Sequence, residues 1–310
     1  MSAPRAVVFA YHDVGVRCLK ALLSAGVEVP LVVTVPDDPL ERRWFASVAD
    51  TAADYGLNVS APAEVNTAQF AAGVAALQCD FLFSFYYRSM LGAALLAAAC
   101  RGALNMHGSL LPKYRGRAPV NWAILKGEHE TGATLHYMAE RADAGDIVDS
   151  QAVPILADDD ARAVFAKVTV AAEMVLVRSL PALIAGRAAR TPQPLLPGQY
   201  FGRRTPADGR IDWHRPALEI HNLVRAVAPP FPGAFASVDG ERWEIHRTRV
   251  VGAPAPGARA APQLYAQGAA VQVRCGDGGV LQLLTVLTPG GPLDLAALAR
   301  EREGHPLPLA

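Results

Sequence analysis

Short β-rich apolar runs alternate with amphipathic stretches along the first part of the chain. "RAVVFA" (5–10) reads as a strand. "GVRCLKALLSAG" follows, with Val16, Leu19, Leu22 and Leu23 at helical spacing and Gly26 as a stop. "VEVPLVVTV" (27–35) is a second strand that Pro30 could shorten. "RRWFASVADTAADYG" predicts a helix ending at Gly56, and Asn58–Val59 begins a short third strand. "TAQFAAGVAALQ" is helical with Thr67 as its cap, and "DFLFSF" (80–85) is a buried-type strand. "MLGAALLAAAC" reads as a helix and "GALNMH" as the next strand. This alternation predicts an α/β fold, a parallel sheet with helices on both faces. Ligands of such sheets sit beyond the carboxyl ends of the strands, where Asn105 and His107 fall.

From Ala133 the pattern changes. "ATLHYM" alternates, with Leu135 and Tyr137 facing one way and Thr134, His136 and Met138 the other. With "GDIVDSQAVPI" it predicts a hairpin. Asp158 to Asp160 then open a long helix reaching about Leu183, because acidic residues suit a helix N-terminus, and Gly186 ends it. "RTPQPLLPGQYFGRRTPADG" is rich in Pro and Gly and reads as a linker. Beyond it the pattern is mostly β. "AFASVDGERWEIHRTRVV" carries Asp239–Gly240 between alternating runs, a hairpin signal. "VVGAPAPGARAAP" reads as a loop, "AVQVRC" and "GGVLQLLTVL" as strands, and Pro216–Val227 as a short helix. The expected organisation is a catalytic α/β domain at 1–188, a linker at 189–204 and a small β-barrel-like unit at 205–310.

Composition narrows the function classes. The 310 residues are 51% hydrophobic, enough for a large core. Lys and Arg (29) balance Asp and Glu (29), which gives no reason to expect general binding to nucleic acid or a membrane surface. The four cysteines, Cys18, Cys79, Cys100 and Cys275, form no CxxC and read as small buried hydrophobes in a reducing compartment. The N-terminal apolar run is too short for a signal peptide, and no run is long enough for a membrane span. A cytoplasmic location is the expectation.

A dinucleotide site would need a glycine-rich turn after the first strand. That turn is "AYHDVG", with Gly15 alone, and Tyr11 and His12 would crowd a phosphate. Asn105 and His107, two residues apart, carry more information. "ERADAGDIV" puts Asp143 and Asp146 on the turn of the expected hairpin, so a carboxylate, an imidazole and an amide could meet in one cleft. Ser109 lies close by, but "HGSLLP" lacks the elbow of a nucleophilic serine and reads as a turn. His136 is either a packed core histidine or a substrate contact. His129, between Glu128 and Glu130, reads as part of a solvated loop and not as a metal ligand.

The block "GALNMHGSLLPKYRGRAPVNWAILKGEHETGATLHYMAERADAGDIV" (102–148) resembles the signature of formyltransferases that use 10-formyltetrahydrofolate. It holds Asn-x-His, Ser-Leu-Leu-Pro, Thr-x-His and Asp-x-Gly-x-Ile. "FAYHDVG", "FSFYYR" and "FGRRTPADGRIDWH" extend the resemblance to the formyltransferase half of the bifunctional enzyme that modifies UDP-4-amino-4-deoxy-L-arabinose for lipid A. The resemblance stops at Ala310, so a chain without the decarboxylase half is expected.

It implies a Rossmann-like catalytic domain followed by an OB-like barrel. It also implies Asn105, His107 and Asp143 as the catalytic trio, 10-formyltetrahydrofolate as co-substrate, and no metal. A flat pterin suits an apolar slot with backbone groups at its edge. Phe85, Tyr86, Tyr87, Arg88, Met90 and Leu91 are the expected walls, with Ala139 and Ala142 as backbone contacts. A nucleotide-sugar acceptor carries two phosphates, which arginine forks bind well. Arg115, Arg117, Arg203 and Arg204 are the candidates, with Tyr11 and His12 on the acceptor side. The rival acceptor is initiator tRNA, as in methionyl-tRNA formyltransferase; a folate-binding module without turnover and a formyltetrahydrofolate hydrolase complete the alternatives.

Overall fold

The computed structural model describes residues 3–36, 43–196, 200–254 and 257–309. Its first elements are β1 (Arg5–Ala10), α1 (His12–Ser24), β2 (Glu28–Val33), α2 (Val48–Asp54) and β3 (Val59–Ser60). There follow α3 (Ala68–Ala76), β4 (Phe81–Phe85), α4 (Ala93–Leu96) and β5 (Ala103–His107). The strands lie in the order β3-β2-β1-β4-β5, all parallel, as the alternation predicts. Chain order reverses between β1 and β4, and a doubly wound sheet opens its ligand crevice at such a point.

Pleating explains the near-continuous apolar strands. Val7 and Phe9 of β1 join one core cluster with Leu82, Val74, Leu91 and Leu95. Ala6, Val8 and Ala10, on the opposite face, are also fully buried, so both faces are covered. Each large apolar side chain so buried contributes roughly 1.5–3 kcal/mol.

The next elements are β6 (Arg115–Gly116), α5 (Pro119–Leu125), β7 (Glu130–Tyr137), β8 (Ile147–Pro154), α6 (Ala161–Ile184) and β9 (Tyr200–Phe201). β7 adds antiparallel to β5, and β8 antiparallel to β7, which completes a seven-stranded sheet with the expected hairpin at its edge. The Asp160 carboxylate accepts from Ala163 N at 2.8 Å and opens α6, as its sequence predicts.

The chain divides into two compact units. One comprises Met1–Pro119, Glu130–Pro154 and Phe165–Gly202; the other comprises Val120–His129, Ile155–Val164 and Arg203–Ala310. The second contains α7 (Ala217–Ala226), β10 (Ala234–Val238), β11 (Glu241–Gly252), β12 (Gln263–Gln267) and β13 (Ala270–Arg274). It continues with β14 (Val280–Thr288), β15 (Gly291–Pro292), α8 (Leu295–Glu301) and β16 (Leu307–Pro308). The antiparallel order is β10-β11-β14-β13-β12-β16, with β15 beside β14. Register breaks between β11 and β14 curl this sheet into a half-barrel. Ile220 and Val224 of α7 share one core with Trp213, Ile245, Leu281 and Leu283.

Several elements differ from the sequence reading. The helix expected over "RRWFASVADTAADYG" starts only at Val48, because Ser47 caps it by accepting from Asp50 N; Arg42, the first residue of that stretch, lies outside the described residues. The alanine-rich stretch after Leu91 forms only the single turn α4. β11 runs on to Gly252, which the sequence assigns to a loop. β12 and α8 have no counterpart in the sequence reading. Inside the expected linker, Tyr200–Phe201 pairs in parallel with Arg115–Gly116. Cys100 is exposed, whereas Cys18, Cys79 and Cys275 are buried. Among the described residues no helix is long and apolar enough to cross a membrane.

Thr67 caps α3 as its sequence predicts, accepting from Phe70 N at 3.2 Å. Thr67→Ala is expected to lower unfolding free energy by about 1 kcal/mol in urea titrations, with activity unchanged.

Candidate active site

The site is built by register. Asn105 and His107 alternate with Leu104 and Met106 on β5, so they share one face. The antiparallel pairing sets Asn105 opposite His136 and His107 opposite Thr134. Residues directly opposite in a sheet present their side chains to the same side. The Asn-x-His and Thr-x-His patterns are therefore two halves of one polar patch at the carboxyl end of β5.

Hydrogen bonding fixes the protons on both rings. His107 Nε2 lies 2.9 Å from the Tyr114 carbonyl oxygen, which can only accept, so Nε2 carries hydrogen. Nδ1 then faces Asp143 Oδ1 at 3.6 Å. His136 Nδ1 is 2.8 Å from the Tyr137 carbonyl and donates to it. Its Nε2 is 3.1 Å from Asn105 Nδ2 and, in the neutral ring, accepts from that amide. The second Asn105 amide hydrogen has only a long contact, 3.4 Å, to Asp143 Oδ1.

Asp143 is delivered by the loop between β7 and β8, in the left-handed region at φ 51°. Its Oδ2 accepts from Gly116 N at 2.9 Å. Gln193 Nε2 donates to the carbonyls of Asp143 and Gly145, at 3.1 and 2.6 Å, and ties the loop down. A Cβ on Gly145 would stand 2.0 Å from the Tyr137 carbonyl oxygen, so no other residue fits this turn. Asp143 Oδ1 is thus the common focus of His107, His136 and Asn105. Burial alone would raise the pKa of this carboxyl. Positive charge on His107 and His136 when these rings are protonated, together with the Gly116 N–H, outweighs it and holds the carboxyl below the usual carboxylate range.

Sequence reasoning leaves His136 open between a packed core histidine and a substrate contact; it is packed, 1% exposed and hydrogen-bonded to Asn105. It misses Gln193, since nothing in a Pro-rich stretch signals a loop anchor. Ser109 is a turn residue: its Oγ donates to the Lys113 carbonyl at 2.6 Å, and its own carbonyl accepts from Thr134.

The other candidates scatter in role. Phe85 and Leu91, expected as slot walls, are instead core: Phe85 is 0% exposed and stacks on Phe83, and Leu91 joins the cluster around Phe9. Tyr87 is half-buried with its ring edge on Phe9, whereas Arg88 and Met90 are exposed. Tyr86 turns its hydroxyl onto Gly108, where a Cβ would lie 1.7 Å from that oxygen. Ala139 is exposed and Ala142 half-buried on the Asp143 loop. Tyr11 is buried under the Arg88 guanidinium, 4.3 Å from the ring centroid. His12 stacks on Phe45 at 4.0 Å, flanked by Trp44 and Phe165. Arg115 is buried and Arg117 exposed. In the second unit Arg203 is exposed, and Arg204 lies over the Trp122 ring and donates to the Asp208 carbonyl. No group of three or more His, Cys, Asp or Glu side chains among the described residues is arranged to hold a metal ion.

A doubly wound sheet thus carries an amide, two imidazoles and a carboxylate at one strand end, side chains able to hold and pass protons. The family described as Formyl transferase matches residues 6–180, and the family described as Formyl transferase, C-terminal domain, matches residues 203–301. The chain belongs to the formyl transferase family and is an N-formyltransferase.

Solved structures share the fold. An N-formyltransferase from Helicobacter canadensis, in complex with folinic acid and dTDP-3-aminofucose, is 20% identical over 91% of this chain and 99% of its own, with a TM-score of 0.71. The sugar 3N-formyl transferase WlaRD, in the presence of dTDP and 5-N-formyl-THF, is 18% identical over 95% of this chain and 99% of its own, with a TM-score of 0.70. A 4-N formyltransferase from Francisella tularensis is 18% identical over 77% of this chain and 95% of its own, with a TM-score of 0.63.

Burial, and then the charge of Arg88, push the His12 pKa down to about 3. The unfolded chain takes up this proton near pH 6.5 and the folded chain does not, so stability is full above about pH 6.5 and falls between 6.5 and 3. His12→Asn, which tolerates the positive φ, is expected to remove an acid-side slope of up to about 1.4 kcal/mol per pH unit in denaturation midpoints measured across that window.

Proposed function

We propose that this enzyme transfers a formyl group from 10-formyltetrahydrofolate to the amino group of a nucleotide-linked sugar, with UDP-4-amino-4-deoxy-L-arabinose as the acceptor. The observation that carries this reading is the convergence of His107, His136 and Asn105 on one oxygen of Asp143. Similarity to enzymes whose structures contain folate derivatives and dTDP or a dTDP-sugar supports the two ligand classes. The 4-position of the amine rests on the resemblance of "FAYHDVG", "FSFYYR" and "FGRRTPADGRIDWH" noted above.

The residues fit a flat, amide-edged donor. Beyond β4 the chain turns at Tyr86, at φ 60°, and presents Met90, 59% exposed. Ser84 pairs with Asn105, so this stretch departs beside the trio. The donor supplies a formyl carbon already activated on nitrogen. The Asn105 amide hydrogen held only by the 3.4 Å contact to Asp143 can turn to stabilise the oxygen as it gains negative charge; donors of this kind contribute about 3–4 kcal/mol in acyl transfer. His107 Nδ1 has its lone pair available in the neutral ring, because Nε2–H is committed to Tyr114. It can take a proton from the attacking amine and return one to the leaving nitrogen. Asp143, held as an anion, stabilises the imidazolium in between. The 3.6 Å distances from the two imidazoles to Oδ1 exceed direct hydrogen bonds and are expected to tighten with ligands present.

His107→Ala and Asp143→Ala are each expected to lower kcat by at least ~100-fold while leaving folate affinity near wild type, measured by stopped turnover and by calorimetry. Near-normal kcat in both variants removes the assignment. The acceptor is tested by incubating the enzyme and donor with 4-amino and 3-amino nucleotide sugars and with charged initiator tRNA, read by mass. A gain of one formyl group on UDP-4-amino-4-deoxy-L-arabinose and none on tRNA is the expected result. Formylation of the tRNA alone overturns it, and formate release without any acceptor points to hydrolysis.

A further inference from the structure

We propose that Gln193 is a positioning residue of formyl transfer: by holding the carbonyls of Asp143 and Gly145 it fixes the β7–β8 loop, so that one loop delivers the Asp143 carboxylate to His107 and the backbone of Ala139 and Ala142 to the donor. The inference rests on the reading of Asp143 as a catalytic residue.

The sequence "RTPQP" (190–194) stiffens this segment before any tertiary contact forms. Pro192 has a fixed φ, and Gln193, standing before Pro194, is pushed toward extended backbone. Three contacts then fasten the segment to the catalytic hairpin. The Arg190 guanidinium lies 3.7 Å from the centroid of the Tyr137 ring, at the end of β7. Thr191 and Ile147, the first residue of β8, exchange both backbone hydrogen bonds, at 2.8 and 2.9 Å. Gln193 follows two residues on and meets the loop itself, at 3.1 and 2.6 Å. The expected linker thus runs along the hairpin from Tyr137 to the Asp143 loop.

The contact works in one direction only. Both groups that face Gln193 Nε2 are carbonyls, which only accept, so the amide has one orientation. Its Oε1 is buried with no hydrogen-bond partner among the described residues. A buried amide oxygen left unpaired is costly, so the two donated bonds must outweigh that cost.

The loop needs such an anchor. Asp143 stands at φ 51°, which an aspartate adopts less readily than a glycine. Its carboxylate has one short bond, 2.9 Å from Gly116 N, and its distances to His107 and His136 are both 3.6 Å. The Tyr137 N–H donates to the Asp146 carbonyl and closes the base of the loop, three residues from Asp143. Gln193 acts instead on the backbone of Asp143 itself and on Gly145, whose turn admits no side chain. Freed from it, the loop can relax toward ordinary backbone and carry the carboxylate away from the imidazoles. Ala139 and Ala142 lie on the same loop, so the expected donor contacts move with it.

The test joins turnover with 10-formyltetrahydrofolate, calorimetry with 5-formyltetrahydrofolate and hydrogen exchange of residues 138–146 read by mass, all in the full chain. Gln193→Ala is expected to lower kcat by about 10-fold and to weaken donor binding by about threefold, sizes in keeping with two lost neutral hydrogen bonds. Exchange in the loop should speed up by about 10-fold while the rest of the sheet keeps its protection. Gln193→Glu, of the same size but with no N–H to donate, should lose at least as much. Gln193→Lys, which keeps a donor toward both carbonyls, should stay within about threefold of wild type, and it keeps the test open where Gln193→Ala fails to fold. In the Asp143→Ala background, Gln193→Ala should change kcat by less than about twofold, because residues that act through one another are not additive. A mere loss of folded enzyme would carry over in full to that background, and such a result overturns the proposal. So does unchanged kcat with unchanged exchange in Gln193→Ala and Gln193→Glu. Faster loop exchange in an enzyme whose Asp143→Ala variant keeps normal turnover would leave the anchor standing and remove the role given to Asp143.

Discussion

The antiparallel register between β5 and β7 is the constraint on which the site depends. It sets Asn105 against His136 and His107 against Thr134, so side chains from two sequence patterns face one side of the sheet. A slip of β7 by one residue would turn Thr134 and His136 to the opposite face, away from Asn105 and His107, since a strand repeats every two residues. Thr134 protects the register. Its hydroxyl accepts from Leu111 N and donates to the Ser109 carbonyl, tying β7 to the turn that leaves β5. Gly132 does so again, because a Cβ there would lie 2.1 Å from the Gln151 carbonyl oxygen of β8. The polar patch is therefore as rigid as the sheet that carries it.

Against this fixed patch the carboxylate is held by balance. Burial raises the pKa of Asp143, and positive charge on the imidazoles together with the Gly116 N–H outweighs it and lowers it. In the function proposed above, the ring of His107 carries the proton and the carboxylate beside it supplies the counter-charge. His136 has a different part. With Nδ1–H committed to a backbone carbonyl, its Nε2 accepts from Asn105 and fixes which way the amide points. The two histidines are chemically alike, and their backbone partners give them separate tasks.

The sheet is legible in the sequence because parallel strands covered on both faces read as apolar runs, and Gly26, Thr67 and Gly186 mark the ends of the helices between them. The trio is legible through spacing on β5 and through the family resemblance. The convergence on a single oxygen is not, because it depends on register between strands and on a loop whose anchor, Gln193, sits in a Pro-rich stretch. The donor slot is over-read for a related reason. Phe85 and Leu91 are apolar residues near a strand end, and only the structure distinguishes a wall from a core. The opposite error falls at Tyr200–Phe201, too short to show periodicity, where tertiary pairing alone makes a strand.

Backbone strain follows the same geography. His12 stands two residues past the end of β1, Tyr86 directly follows β4, and Asp143 tips the β7–β8 loop; all three hold a positive φ without being glycine. Each such residue costs of order 1–3 kcal/mol, and glycine would adopt the same conformation at less expense. Gln78, Tyr114, Ala118 and Asp239 also hold a positive φ, so this strain is not confined to the site. His12 brings its ring into the aromatic cluster of Trp44, Phe45 and Phe165, Tyr86 closes over Gly108 beside His107, and Asp143 completes the trio. β1 and β4 are the strands on either side of the reversal in chain order, so two of the strained residues flank the crevice that the topology opens. Asn105 and His107 stand on β5, the strand paired with β4 beside that crevice.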